Sequence, residues 1–225
     1  MAPVHIFMDL DGTLFQSEED IRGAWRATLA ELKLDCPQFD RIFRVGPSLQ
    51  AMTEELFPGM GMAAKIVPVF KRHYDASSLE KTLPYPGMDG WLRSLSTMGC
   101  RLCTLTNKRL KPTMMLVERY GWTDLFEKVL GSDSFELSVP TKTAMLKLAL
   151  EQFAIVPSDA FMVGDTPEDV AAGRNAGVHT VACGWGYASL DELQKARPDV
   201  IIELSDLTRL EEFIRKESLH ERDGA

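Results

Sequence analysis

The chain has 225 residues, 45% of them hydrophobic and 26% charged, with a formal net charge of −8. This balance is typical of a globular protein with a sizeable core and room for a second small domain. The acidic charge argues against a general nucleic-acid binder, and no apolar stretch reaches the roughly 20 residues that span a bilayer. The N-terminus lacks the regions of a signal peptide, so we expect a cytoplasmic protein with neither nucleic acid nor membrane as a partner.

Short apolar runs alternate with helical patterns along most of the chain. The predicted strands are Val4–Leu10, Arg101–Thr106, Lys128–Gly131, Phe161–Gly164, His179–Cys183 and Val200–Glu203. The predicted helices are Pro112–Tyr120, Lys142–Phe153, Pro167–Ala176, Leu190–Lys195 and Leu207–Lys216. Thr166 is a suitable N-cap before Pro167, and Gly121 and Gly177 stand where C-terminal caps are expected. This alternation predicts a doubly wound, mostly parallel α/β sheet.

One segment breaks the alternation. From about Glu18 to Leu83 the apolar residues follow helical spacing, and no strand-like run interrupts them. The proline- and glycine-rich run that begins at Leu83 and ends at Gly87 is a suitable linker back to the sheet. We therefore predict a helical cap domain at 16–84, inserted into an α/β core formed by 1–15 and 85–225.

Two cysteines form a C-x-x-C pattern, Cys100 and Cys103. Such a pair can serve redox chemistry or zinc binding. Residues three apart on a strand point to opposite faces, however, so the two thiols would not converge. We expect both to be buried structural residues.

Polar side chains stand at or just after the ends of the predicted strands, and one of them opens a helix after a loop, at the edge where an open α/β sheet binds its ligands. They are Asp9, Asp11, Thr106, Asn107, Lys142, Asp165 and Asp169. Clustered carboxylates repel one another unless a cation lies among them, and oxygen-only ligands of this kind suit Mg²⁺. The sequence therefore predicts a magnesium site at this edge.

Four short motifs occur one after another along the chain. They are Asp9-Leu10-Asp11-Gly12-Thr13-Leu14, Thr106-Asn107-Lys108, Lys142 alone, and Gly164-Asp165-Thr166-Pro167-Glu168-Asp169. Together they resemble the haloacid dehalogenase superfamily, in its phosphatase branch with a small helical cap after the first motif. The run Gly184-Trp185-Gly186-Tyr187 also looks like phosphoglycolate phosphatase relatives. The resemblance implies a Rossmann-like core and a phosphatase for a small phosphorylated metabolite, with phosphoglycolate as a candidate substrate.

The resemblance also implies roles for the acidic residues. Asp9 would be the nucleophile that attacks phosphorus. Asp11 would protonate the leaving-group oxygen and then activate water. Mg²⁺ would be held by the carboxylates of Asp9 and Asp165 and by the backbone carbonyl of Asp11.

The remaining polar residues would hold the phosphoryl group. Thr106, Asn107 and Lys142 would bind its oxygens, where negative charge accumulates. Asp169 would anchor Lys142 or a metal-bound water. Lys147, further along the same predicted helix, is the alternative to Lys142.

A loop in the predicted cap looks like the specificity loop of phosphoglycolate phosphatase relatives. It contains Gly46, Pro47 and Ser48, which would bind substrate. An ordinary turn between two helices explains the same residues equally well.

Other functions use similar residues. A dehalogenase needs no acid at position 11, because its halide leaving group takes no proton, so Asp11 favours phosphate chemistry. A sugar phosphomutase of the same superfamily uses both aspartates and a helical cap, and remains the nearest alternative. A phospho-accepting signalling domain also gathers aspartates and a lysine at strand ends, but needs no helical insertion.

Overall fold

A computed structural model describes residues 3–136 and 141–223. The chain forms two compact units. The first unit has two segments, the chain up to Leu14 and the chain from Tyr85 onward. The second unit is Phe15–Pro84. Within the described ranges, no helix combines the length and the apolar character needed to cross a membrane.

The first unit is built on a six-stranded sheet. Its strands are β1 (His5–Met8), β4 (Arg101–Thr104), β5 (Phe126–Lys128), β6 (Ala160–Gly164), β7 (His179–Cys183) and β8 (Val200–Ile202). The order is β5-β4-β1-β6-β7-β8, and every neighbouring pair is parallel. The predicted parallel α/β sheet is confirmed.

Helices of the first unit lie between these strands in the chain, except for the last helix, which follows the final strand. They are α5 (Met88–Thr97), α6 (Leu110–Arg119), α7 (Lys142–Gln152), α8 (Pro167–Ala176), α9 (Leu190–Ala196) and α10 (Thr208–Asp223). Helix α5 was not predicted. The predicted strand Lys128–Gly131 was largely wrong, since the strand ends at Lys128. The caps are confirmed: Thr166 is the N-cap of α8 and Gly177 its C-cap.

The position of the central strand, β1, determines where the first motif leaves the sheet. Strand β1 lies between β4 and β6, with His5 in register with both Arg101 and Ala160. A parallel strand covered on both faces needs a continuous apolar run, and Ile6 and its two successors are fully buried. The chain leaves β1 directly into Asp9, whose N–H donates to the carbonyl of Val163 at 2.9 Å.

The C-x-x-C pair is structural, as predicted. Cys100 and Cys103 are both free and buried. Burial raises the pKa of Cys100 to about 11 and that of Cys103 to about 12, with smaller contributions from nearby acidic charge. Thiols held protonated in this way are poor nucleophiles and poor metal ligands.

The second unit is helical. It contains α1 (Glu18–Glu31), α2 (Phe39–Ile42), α3 (Leu49–Leu56) and α4 (Ala63–Ala76). Its core includes a row of aromatic rings, in which Phe70 lies 5.0 Å from Trp25 and 5.6 Å from Tyr74 between ring centroids.

A two-stranded ladder joins the ends of the helical unit. It pairs β2 (Phe15–Gln16) antiparallel with β3 (Leu83–Pro84). The Thr82 hydroxyl donates to Asp20 at 2.7 Å beside it. This ladder was not predicted, because strands of two residues carry no periodicity that a sequence can reveal.

Candidate active site

The first motif forms a tight turn at the carboxyl end of β1. The Asp9 carboxylate accepts the N–H of Leu10 at 2.7 Å, and the N–H of Leu14 donates to the Leu10 carbonyl at 2.9 Å. Gly12 has φ +85°, and a Cβ there would lie 2.2 Å from Asp165 Oδ2. Only glycine accommodates both the left-handed backbone and the close approach of that carboxylate.

Three buried carboxylates meet at this edge. Asp9, Asp165 and Asp169 each offer an oxygen, and these oxygens lie within 4.8 Å of one another. Among the described residues, the Asp11 side chain is not part of this cluster, and a contribution of its backbone carbonyl to a metal stays a prediction. Burial, followed by the charges of Asp169 and Asp9, raises the pKa of Asp165 to about 8. A carboxylate set this crowded fits an oxygen-coordinated cation such as Mg²⁺.

The lysine at the start of α7 reaches two of these carboxylates. Thr141 caps the helix by accepting the N–H of Ala144 at 3.2 Å, which places Lys142 in the first turn. Lys142 Nζ lies 2.5 Å from Asp9 Oδ2 and 2.5 Å from Asp169 Oδ1, and its side chain is 1% exposed.

These contacts keep the lysine charged. Burial by itself would lower the pKa of Lys142, but the charges of Asp169 and Asp9 outweigh it and raise the pKa. Lys147, the alternative assignment, is exposed on the surface of the same helix. The geometry therefore favours Lys142 for the third motif.

Asp169 both caps a helix and holds this lysine. Its Oδ2 accepts the Thr166 N–H at 3.0 Å and the Thr166 hydroxyl at 2.6 Å, which completes a capping box. Its Oδ1 accepts Lys142. Helix capping and the contact with Lys142 therefore use different oxygens of one carboxylate.

The second motif follows β4. Thr104 pairs in register with Met8, so Thr106 leaves the sheet beside the first motif. Thr106 is buried, and its hydroxyl accepts the N–H of Lys108 at 3.2 Å. The Asn107 amide donates to Glu168 at 3.3 Å, a contact with α8 that the sequence did not predict.

The loop after β7 supports Asp165, a function that the sequence did not reveal. The backbone N–H of Tyr187 donates to Asp165 Oδ2 at 2.7 Å, and the Thr13 hydroxyl donates to Oδ1 at 3.0 Å. Trp185 fixes the loop by donating from Nε1 to the carbonyl of Thr13 at 3.0 Å. A Cβ on Gly186 would lie 2.2 Å from Asp165, so the Gly-x-Gly pattern of this loop was the available signal.

A second buried lysine forms an ion pair that the sequence did not predict. Lys108 Nζ lies 3.0 Å from Asp11 Oδ1, and the two side chains are 3% and 13% exposed. The motif contains Lys108, but nothing in its spacing connects it with Asp11. The two come together only because β1 and β4 are neighbours.

The predicted cap loop lies in the helical unit. Ser48 is the N-cap of α3 and accepts the N–H of Ala51 at 3.2 Å, while Gly46 has φ +116°. Locally, Gly46, Pro47 and Ser48 thus form a turn that starts a helix. Their contact with a substrate stays a prediction.

Comparison with known proteins identifies what the chain is similar to. Residues 6–183 match the family model described as haloacid dehalogenase-like hydrolase. A phosphoglycolate phosphatase of Aquifex aeolicus is 32% identical over 206 residues, which cover 89% of this chain and 96% of that protein. The tyrosine-protein kinase PtkA of Mycobacterium tuberculosis is 28% identical over 215 residues, which cover 95% of this chain and 73% of that protein.

Solved structures agree on the fold. A hydrolase of the haloacid dehalogenase-like family from Streptococcus pneumoniae superposes with a TM-score of 0.81 at 26% identity. The match covers 94% of this chain and 98% of that one.

Proposed function

The chain belongs to the haloacid dehalogenase-like hydrolase family and is a phosphoric monoester hydrolase, and we propose that it works through a phospho-aspartate on Asp9 with Mg²⁺. The observation that carries this proposal is the cluster of three buried carboxylates in contact with Lys142. Buried acidic clusters weaken folding, so a fold that keeps one at a sheet edge has a use for it.

In the first step, an Asp9 carboxylate oxygen attacks phosphorus in line with the leaving group. The bond from phosphorus to the ester oxygen breaks, and Asp11 gives that oxygen a proton, so an alcohol leaves. Thr106, Asn107 and Lys142 stabilise the charge that builds up on the phosphoryl oxygens.

In the second step, water hydrolyses the acyl phosphate. Asp11, now ionised, takes a proton from the water as its oxygen bonds to phosphorus. The bond from phosphorus to Asp9 breaks, inorganic phosphate leaves, and both aspartates return to their starting state. Asp169 holds Lys142 in place throughout.

Asp9 and Asp165 would hold Mg²⁺ through their carboxylates, together with the backbone carbonyl of Asp11. The ion supplies positive charge that neutralises the cluster and the phosphate dianion. Thr13 and the N–H of Tyr187 keep the Asp165 oxygens in place.

We propose a small phosphorylated metabolite as substrate, with phosphoglycolate as the first candidate. The phosphoglycolate phosphatase relative covers nearly the whole chain, including the helical unit. Selectivity for the leaving group is assigned to that unit and to the loop of Gly46, Pro47 and Ser48, since the residues of the α/β edge recognise phosphate alone.

The test is a screen with purified protein and Mg²⁺ against phosphoglycolate, sugar phosphates, nucleotides and pyrophosphate, with phosphate release as the readout. We expect release from at least one small monoester, loss of release in excess chelator, and recovery with Mg²⁺. Full turnover in chelator would contradict the metal. Release that requires a sugar bisphosphate would instead favour the phosphomutase.

A kinase among the relatives makes a second readout necessary. Phosphoryl transfer from the substrate to a protein tyrosine, or lasting retention on Asp9, would mean that water is not the natural acceptor. We expect neither, because Asp11 stands next to the nucleophile as a base for water.

A further inference from the structure

Each of the two aspartates proposed to take part in catalysis contacts a buried lysine. Lys142 contacts Asp9, the proposed nucleophile, and Lys108 contacts Asp11, the proposed acid and base. The Lys108 side chain is only 3% exposed, although it carries a charge and stands at the end of a strand. A lysine that is buried to this degree needs a specific partner.

The contact with Asp11 is electrostatic. Asp11 Oδ1 is buried and accepts no well-aligned hydrogen bond from any part of the chain that the structure describes. The Lys108 ammonium, 3.0 Å away, is therefore the group that faces this oxygen, and the proton in the proposed acid role of Asp11 belongs on Oδ2. The exposed 13% of the Asp11 side chain comes from its other atoms, since Oδ1 itself is covered.

The backbone of Lys108 is fixed on both sides. Its N–H donates to the Thr106 hydroxyl at 3.2 Å, and its carbonyl accepts the N–H of Ser132 at 2.9 Å. An anchored backbone limits where the ammonium can go, so the ion pair also limits the rotation of the Asp11 carboxylate.

We propose that Lys108 is a positioning residue that holds Asp11 Oδ1 and so turns Oδ2 toward the leaving-group oxygen. This inference rests on the proposed role of Asp11 as acid and base. Lys108 touches neither the phosphoryl group nor the metal in this scheme, and all of its effect passes through Asp11. A base held by a third group is a recurring arrangement in enzymes with activated nucleophiles.

The test is a double-mutant cycle of Lys108→Met, Asp11→Asn and the pair together. Phenyl phosphate and p-nitrophenyl phosphate serve as probes, because they differ little in size but only the phenolate needs a proton to leave. The readout is the single-turnover rate of leaving-group release with Mg²⁺, together with kcat and KM. Lys195→Met, on a lysine of α9 whose side chain is 75% exposed, is the matched control.

We expect Lys108→Met to slow phenol release by about 10–100-fold, the usual cost of losing a group that orients a functional side chain. Nitrophenol release should change only a fewfold, and KM should stay close to its original value. In the Asp11→Asn background, Lys108→Met should have no further effect. Lys195→Met should match the unmodified enzyme.

Two results would overturn the proposal. An undiminished loss in the Asp11→Asn background would mean that Lys108 acts on phosphate or metal by itself. A rise in KM without a fall in kcat would make it a substrate-binding residue. If Lys108→Met does not fold, Lys108→Gln gives the same cycle. An Asp11→Asn enzyme that releases phenol at the original rate would refute the role of Asp11 itself, which is a separate failure.

Discussion

The two units of this protein differ in how much of their function is visible in the sequence. In the α/β unit, Asp9, Thr106 and Asp165 stand just after strands, and the parallel sheet brings those strand ends together, while Lys142 opens helix α7. In the helical unit, the residues that stand out are ordinary elements of helices, such as the N-cap Ser48. Catalytic residues at the carboxyl edge of a parallel sheet can be predicted from one sequence. Recognition of a leaving group depends on how side chains from several helices are combined, which one sequence does not show.

This difference predicts that mutations at the motifs of the α/β unit reduce activity far more than mutations in the helical unit. Asp9→Asn in the α/β unit should reduce turnover by at least about 10⁴-fold, as in other enzymes that lose the nucleophile. An amide attacks phosphorus poorly, so covalent phosphoenzyme should also disappear. Phosphate release and trapping of the labelled enzyme measure the two effects. Asp124→Asn, on an exposed aspartate, is the control, and similar losses in both variants would point to a folding defect.

Asp11→Asn should cost less, about 10²–10⁴-fold on phenyl phosphate, because it removes general acid and base catalysis but keeps the nucleophile. The first step with p-nitrophenyl phosphate should suffer little, since that leaving group departs without a proton. A burst of nitrophenolate followed by slow turnover would show this. Equal losses for Asp9→Asn and Asp11→Asn on both substrates would contradict the assigned roles.

A smaller effect concerns the pH dependence of metal binding. Burial and neighbouring charge raise the pKa of Asp165 from its usual value to about 8, so the metal-free folded protein favours the protonated form. The raised pKa of Asp165 therefore adds to the free energy of unfolding at low pH, where the carboxyl is protonated. That stabilisation is lost as pH rises toward 8. Mg²⁺ competes with that proton, so the increase in melting temperature caused by Mg²⁺ should be larger at pH 8 than at pH 6.

Asp165→Asn is the control for this experiment. The variant should lose both the stabilisation by Mg²⁺ and its dependence on pH, while the metal-free protein should be at least as stable as the original at pH 8. Stabilisation by Mg²⁺ that is equal at both pH values would remove Asp165 from the ligand set.

The smallest effects are expected in the helical unit. Pro47→Ala should change the ranking of natural substrates and leave hydrolysis of p-nitrophenyl phosphate within a fewfold. Ser48→Ala should do the same and also destabilise α3 by about 0.5–2 kcal/mol, because the hydroxyl caps the helix. Steady-state rates on the substrate panel and melting temperatures provide both readouts. Parallel changes on all substrates, or none, would make the loop an interhelical turn only.

Local signals in the sequence account for most of the fold. Helix α8 is predicted to the residue, because Thr166, Pro167 and Gly177 mark both of its ends. Helix α5 was missed although its buried residues follow helical spacing; Gly90 in its first turns weakens the pattern. Strand β5 was misplaced because Leu130, two residues beyond its end, is apolar and buried in the same way as Phe126 within the strand.

The contacts of the candidate active site also divide into those that the sequence predicted and those that it did not. Asp9, Asp165 and Lys142 come together as expected, because each follows or precedes a regular element that fixes its direction. The pairs Lys108–Asp11 and Asn107–Glu168 were not predicted, because they join side chains from different elements. Contacts of that kind depend on which strands and helices are neighbours, and the sequence does not state the strand order.

The central claim is that phosphate passes through Asp9. The most direct measurement is to mix the enzyme with Mg²⁺ and a substrate found in the screen, quench in acid, reduce with borohydride and map the modified peptide by mass spectrometry. An acyl phosphate on Asp9 is reduced at that residue alone, so we expect homoserine at position 9 and none in a sample without substrate. Normal turnover with an unmodified Asp9, or modification at Asp11 or Asp165 instead, would contradict the account.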